Sequence, residues 1–244
     1  MDMKHKAWLG ARWKRPGACL LALTLQCSSA APALAQASPA AANRPLAMMD
    51  REKEIALALS ACPPGLAEKA AVYVLGASGY IKVRESGNGF TAIVQHSVPG
   101  AQEPQCMDQE GARTFLQRML LVAELRAQGK TREEIHQAVA EALAKGALQP
   151  PRRPGVDYML SAQNQIPNEK GVVIPFSPHV MFYGTHLTNA DIGVDKETLG
   201  ADGNPMGAAF VAGEGSPFAL VIVPVAARGG MTHMMSGFDS PDDR

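Results

Sequence analysis

The chain has 244 residues, with 23 basic and 23 acidic side chains. Lys4, Lys6, Arg12, Lys14 and Arg15 but only one acid, Asp2, fall at its start, so the remainder carries a net charge of −4. That balance argues against nucleic acid or an anionic membrane surface as the main partner.

Residues 1–35 read as a secretory signal peptide. The basic start is followed by the apolar run 18–25, then by small residues ending in the A-x-A site Ala33-Leu34-Ala35. Charge, a short apolar core and a small-residue exit are the order that export requires. The core is too short to span a bilayer. Cys27, after Leu25 and Gln26, opens a lipoprotein alternative, but glutamine fits poorly before a lipidated cysteine, and cleavage near Ala35 is the expectation. Residues 36–49, rich in Ala, Pro and Ser, are expected to form a flexible linker. About 200 residues then remain for one soluble domain in the periplasm or outside the cell, with no further run apolar enough for a membrane span.

That domain is expected over 50–228. Asp50 is placed to cap a short helix through Leu59, ended by Pro63-Pro64. Three β runs follow at 71–75, 80–85 and 90–95, separated by GASG and SGNG. In the second, Ile81 and Val83 alternate with Tyr80, Lys82 and Arg84. Asn88-Gly89 reads as a hairpin turn because both residues tolerate positive φ, so the pattern predicts an antiparallel meander with one wet face.

Asp108 then caps a helix to about Gln128, with Phe115, Met119, Val122 and Arg126 on one stripe and Gly129 as its stop. Thr131 and Glu134 form a capping box for the next helix, which ends at Gly146. So short a connection folds the two into an αα-hairpin. After the stiff segment 149–155 come strands at 156–160, 179–183 and 218–225. The long glycine-rich stretch 184–217 separates the last two, and 229–244 is expected to be disordered. The expected fold is α+β: a single antiparallel sheet of about six strands, the meander plus three later strands, with the αα-hairpin on one face.

Cys19 and Cys27 leave with the leader, so the mature chain keeps Cys62 and Cys106. In an oxidising compartment two cysteines point to one disulfide. It would close a loop of about 45 residues, worth at most roughly 4 kcal/mol in the chain-entropy picture. Two unpaired buried thiols are the alternative. Zinc is not expected without C-x-x-C spacing.

Groups capable of chemistry concentrate in SPHVMFYGTHLTNADIG, which carries His179, His186, Asn189 and Asp191. Two imidazoles and a carboxylate are a recurring ligand set for zinc, iron or manganese. His179, His186 and Asp191 are therefore the candidate ligands of a divalent metal, and Asn189 joins them as a ligand-binding candidate. The spacing H-x6-H-x4-D matches no standard metal signature, and convergence needs a sharp bend at Gly184. The plainer account is a strand-end histidine followed by a turn that Asn189 and Asp191 shape. Ser161 follows a strand but has no G-x-S-x-G elbow, and Gly213 and Gly215 lack the helix a phosphate loop needs. The methionines and histidine of 231–235 offer soft ligands for Cu(I), although a chance cluster in a disordered tail explains them as well.

Four blocks, CPPGLAEKAAVYVL, GYIKVRESGNGFTAIV, RRPGVDYMLS and SPHVMFYGTHLTNADIG, resemble those of an uncharacterised family of secreted bacterial proteins. The resemblance implies an exported single domain and carries no activity with it.

Three functions follow from these residues. The first is a secreted binding or structural module whose meander and long loop form a ligand surface. The second is a metal-dependent, hydrolase-like enzyme in which His179, His186 and Asp191 hold the ion that acidifies a water. The third is periplasmic copper handling through the tail.

Overall fold

A computed structural model describes Leu46 and residues 48–168, 170–195 and 208–225. The leader, most of the linker and the 231–235 cluster lie outside the described residues.

Helix α1 (Arg51–Ser60) starts where its capping residue predicts: Asp50 Oδ1 accepts the Lys53 N–H at 3.1 Å. The short α2 (Pro64–Ala67) leads to β1 (Ala71–Gly76), which turns tightly through Ala77 and Ser78 into antiparallel β2 (Gly79–Arg84). The meander then breaks. Strand β3 (Thr91–Gln95) skips β2 and pairs with β1 in parallel, Ala71 opposite Thr91. Asn88-Gly89 is thus not a hairpin turn but part of a crossover loop. Asn88 Oδ1 accepts the Phe90 N–H at 3.0 Å, while Nδ2 donates to Leu66 O at 2.8 Å and ties the loop to α2.

Strand β4 (Glu103–Met107) pairs antiparallel with β3, and β5 (Val156–Met159) with β4. Strands β8 (His179–Tyr183), β9 (Phe210–Ala212) and β10 (Leu220–Pro224) complete a sheet in the order β2-β1-β3-β4-β5-β8-β10-β9. Strands β6 (Gln165–Pro167) and β7 (Val173–Pro175) form a separate two-stranded sheet. The molecule is α+β, but the single antiparallel six-stranded sheet is corrected to an eight-stranded mixed sheet with a small second one.

The physical reason lies in what alternation reports. It marks which face a side chain occupies and is silent on which strand lies alongside. Strand β1 is buried on both faces, as suits a strand flanked by neighbours and covered on both sides. Strand β4 contains Pro104 and two polar residues, so its sequence, EPQCM, carries little strand signal.

The expected helix over 108–128 is interrupted at Thr114, whose φ of −121° and ψ of −76° separate α3 (Gln109–Arg113) from α4 (Phe115–Ala127). Asp108 caps α3 by accepting the Gly111 N–H at 2.9 Å. Helix α5 (Arg132–Ala144) has its full capping box from Thr131 and Glu134, and Gly129 and Gly146 take positive φ just past the two helix ends.

Successive residues of β1, β3 and β4 feed two cores. Val72, Val74, Ala92, Val94 and Cys106 pack against Leu57 and Ala58 of α1. Tyr73, Ile93 and Met107 face the other way, against Leu116, Met119 and Leu120 of α4. Helices therefore cover both faces of this half of the sheet. Cys62 and Cys106 are disulfide-bonded within the α1-side core. No helix among the described residues is long and apolar enough to cross a membrane.

Candidate functional site

The polar stretch around β8 does not gather a ligand set. Its partner β10 sets Pro224 opposite His179 and Leu220 opposite Tyr183. His186 lies beyond the Tyr183 end, where its N–H donates to Ser216 O at 2.9 Å and its Nδ1 sits 3.1 Å from Gly215 O. A strand of this length spans about 13 Å, so the two imidazoles stand at opposite ends of it. His179 is buried, its Nδ1 lies 2.9 Å from Ser177 O, its ring packs against Phe176, and burial lowers its pKa.

Asp191 Oδ2 accepts from the Thr188 hydroxyl at 2.7 Å and the Thr188 N–H at 2.8 Å, which together hold its carboxyl below the usual range. Asn189 is a brace. Its Oδ1 accepts the Val211 N–H at 2.8 Å and its own N–H donates to Glu214 Oε1 at 2.8 Å. Among the described residues no group of three His, Cys, Asp or Glu is disposed to hold a metal ion. The structure therefore does not bring His179, His186 and Asp191 together: His179 opens β8, His186 lies past its far end, and Asp191 bonds to its own turn. Ser161 is likewise a turn former: buried, it receives a hydrogen bond from Ser60 Oγ at 2.8 Å and one from the Gln163 N–H at 3.1 Å.

A second set of buried polar groups links α1, the first half of the sheet and α4. Glu54 of α1 is only 1% exposed, and its Oε1 accepts the Leu75 N–H at 2.9 Å. The parallel β1–β3 ladder ends at Tyr73 and Ile93, so Glu54 supplies an acceptor just beyond it. His96 follows β3 and is 6% exposed. Its Nδ1 lies 2.8 Å from Ala101 O. A carbonyl only accepts, so Nδ1 carries a proton. The other ring nitrogen, Nε2, faces Glu54 Oε1 of α1 at 3.5 Å.

Tyr80 of β2 locks His96 in place. Its hydroxyl donates to Val94 O at 2.7 Å and accepts the His96 N–H at 3.0 Å, and burial pushes its pKa up. Arg126 of α4 donates through Nη1 to His96 O at 2.7 Å and through Nη2 to Ser97 O. The Ser97 N–H donates to Glu103 Oε2 at 3.1 Å, and the buried Ser97 hydroxyl beside the same carboxyl works against the effect of burial on it. Burial raises the pKa of Glu103 and lowers that of Arg126.

This wall borders a cavity of about 150 Å³. Gln95, His96 and Ser97 line its strand side. Arg118, Met119, Val122, Ala123 and Arg126 line its helix side. A more open cleft of about 530 Å³ also touches Tyr80, between the β1–β2 turn and the end of α4 at Glu124 and the capping Gln128.

Sequence reasoning missed Glu54, Tyr80, His96, Ser97 and Glu103 as site residues. One signal was available: Arg126 shares the stripe of Phe115, Met119 and Val122. A cation on an apolar stripe needs partners at the buried end. In the structure these are the two carbonyls just past β3.

Two arginines and an apolar wall thus line one small volume. No protein-family model matches the chain, and no curated protein or solved structure matches it either.

Proposed function

We propose that this chain is an exported binding module whose ligand site is the cleft between the β2–β3 side of the sheet and α4. One observation carries the reading: a cavity of about 150 Å³ lies between Gln95, His96 and Ser97 and α4, and Arg118 on its lining makes no side-chain hydrogen bond or ion pair among the described residues. A small concavity with apolar wall and a few polar or charged groups is the usual make-up of a small-ligand site. Export is supported by the leader pattern of residues 1–35 and by a buried disulfide, which belongs to an oxidising compartment. Membership of the secreted family that the four sequence blocks resemble fits the same reading.

The test is amide-resolved NMR of the oxidised domain against a set of small polar fragments. Fragment-induced shifts should fall on 95–97 and 122–126. Shifts confined to other segments, or none across the set, would sink the proposal.

A further inference from the structure

The two halves of the eight-stranded sheet meet at one narrow join. Strand β5 pairs with β4 only through Cys106 opposite Tyr158 and Met107 opposite Asp157, the shortest pairing between neighbours in that sheet. Just past it the Asp108 N–H donates to Val156 O at 3.0 Å. Two further main-chain donors at the join are received by carboxylates. The Cys106 N–H donates to Asp157 Oδ1 at 3.1 Å, and the Val156 N–H to Asp108 Oδ2 at 3.2 Å.

Asp157 is 2% exposed and forms no ion pair among the described residues. It lies on the α4 side of the sheet, opposite Met107 on one neighbour and Met181 on the other. The groups on that side bring it no counter-charge. Asp108 is a second carboxylate, its Oδ1 taken by the Gly111 N–H and the Tyr183 hydroxyl. Burial pushes the Tyr183 pKa up, so that hydroxyl stays neutral. Glu110 of α3 already holds Arg113 and Arg153. His179 of β8 stands opposite Met159 with its Nδ1 at Ser177 O, and Arg118 of α4 lies over the Phe218 ring. A buried carboxyl with no cation and a like charge nearby keeps its proton unless water reaches it.

We infer that the β4–β5 pairing is a proton-controlled joint: protonated Asp157 keeps it closed, and loss of that proton opens it locally. Contacts outside the pairing confine the opening. The Leu160 N–H reaches Ala61 O at 3.2 Å, and the Phe115 and Tyr183 rings pack with centroids 4.8 Å apart. The sign follows from linkage. Burial holds the Asp157 pKa well up, against the Cys106 N–H and with help from the Asp108 charge. Opened to water, the carboxyl returns to about 3.9. The closed joint therefore binds the extra proton, is strongest below about pH 4 and weakens as pH rises. Its opening constant climbs by up to about tenfold per pH unit until the closed-state value is passed, and is level beyond.

The experiment is amide hydrogen exchange on the oxidised protein across pH, corrected for the intrinsic pH dependence of exchange, with and without sub-denaturing urea. Protection of the Cys106, Asp108 and Val156 amides is expected to fall by up to about tenfold per pH unit, at rates insensitive to urea. Amides of β1 and β10 should exchange more slowly and respond to urea, as global unfolding does. Asp157→Asn keeps an oxygen for Cys106 and cannot ionise, so it should abolish the fall at the joint. Urea sensitivity at the joint equal to that of β1 and β10 would mean that it opens only on global unfolding, which overturns the inference. A fall that persists in Asp157→Asn, or no fall in the parent, overturns it too. Should that variant not fold, carboxyl-carbon NMR of the parent decides: an Asp157 carboxyl titrating near its ordinary value of about 3.9 leaves the joint no proton to lose, and one still protonated well above it supports the joint.

Discussion

His96 Nε2 and Glu54 Oε1 face each other at 3.5 Å, and the same carboxylate oxygen accepts the Leu75 N–H. One side chain on α1 therefore both ends the β1–β3 ladder and backs the His96 imidazole. Glutamine would keep the oxygen for Leu75 and bring an N–H to His96. Glu54→Gln is expected to change unfolding free energy by no more than about 1 kcal/mol, and Glu54→Ala to cost about 2–4 kcal/mol by stranding the Leu75 N–H and leaving a void. Urea unfolding of the oxidised protein measures both. Equal costs for the two variants would show that the hydrogen bonds at this position do not matter.

A joint at the other side of the sheet depends on missing side chains. The Tyr183 ring packs into the space where a Cβ on Gly155 would sit, and that Cβ would also come within 2.6 Å of Asp108 Oδ2. The Tyr183 hydroxyl occupies the corresponding space at Gly111, within reach of Asp108 Oδ1 at 3.2 Å and Val156 O at 3.1 Å. Gly155→Ala is expected to cost about 2 kcal/mol or more through overpacking. Tyr183→Phe should recover part of the cost of Gly111→Ala, a coupling of about 1 kcal/mol in a double-mutant cycle. Additive costs would mean the hydroxyl is not what fills that space.

Two buried carboxyls should give the stability–pH curve limbs of opposite sign. Burial raises the pKa of Asp157 well above the carboxylate range, against the pull of the Cys106 N–H at 3.1 Å. A raised folded pKa means its contribution is complete below the unfolded value of about 3.9 and is lost as pH rises through the folded one. Asp157→Asn keeps an oxygen for Cys106, so it should gain stability over the parent as pH goes from 4 to 8. Glu110 is the reverse. The Arg113 guanidinium, with help from the Arg152 N–H and Arg153, pulls its pKa down to about 2. Its contribution is complete above about 4.3 and is lost as pH falls toward 2. Glu110→Gln should flatten that acid limb, and an unchanged limb would contradict the assignment.

Within 184–217 the side chains are expected to rank by what they brace. Asn189→Ala should cost about 1–2 kcal/mol, since the Asn189 amide accepts the Val211 N–H and donates to Glu214 Oε2 at 3.3 Å. His186 holds a φ of 63°, where a side chain is disfavoured, so His186→Gly should be neutral or slightly stabilising despite losing the contact to Gly215. Thermal unfolding of the two variants checks the order, and the reverse ranking would refute it.

What this sequence determines by itself is local. Asp50 and Asp108 cap helices, Thr131 and Glu134 box one, Gly129 and Gly146 follow helix ends, and His179–Tyr183 is a strand to the residue. Each depends on groups a few residues apart, and for that reason each is legible along the chain. The Cys62–Cys106 bridge was legible for a different reason, since these are the two cysteines that follow residue 27. Which strands neighbour each other was not legible. Only the packed structure shows β3 passing over β2 to reach β1, because face alternation is the same for either partner. The cleft was still less accessible. Glu54, His96 and Arg126 come from three separate segments, and only Arg126, a cation on an apolar stripe, stands out in its own. Burial is what brings a helix carboxylate, a strand-end imidazole and a helix guanidinium together, and burial is a property of the tertiary structure.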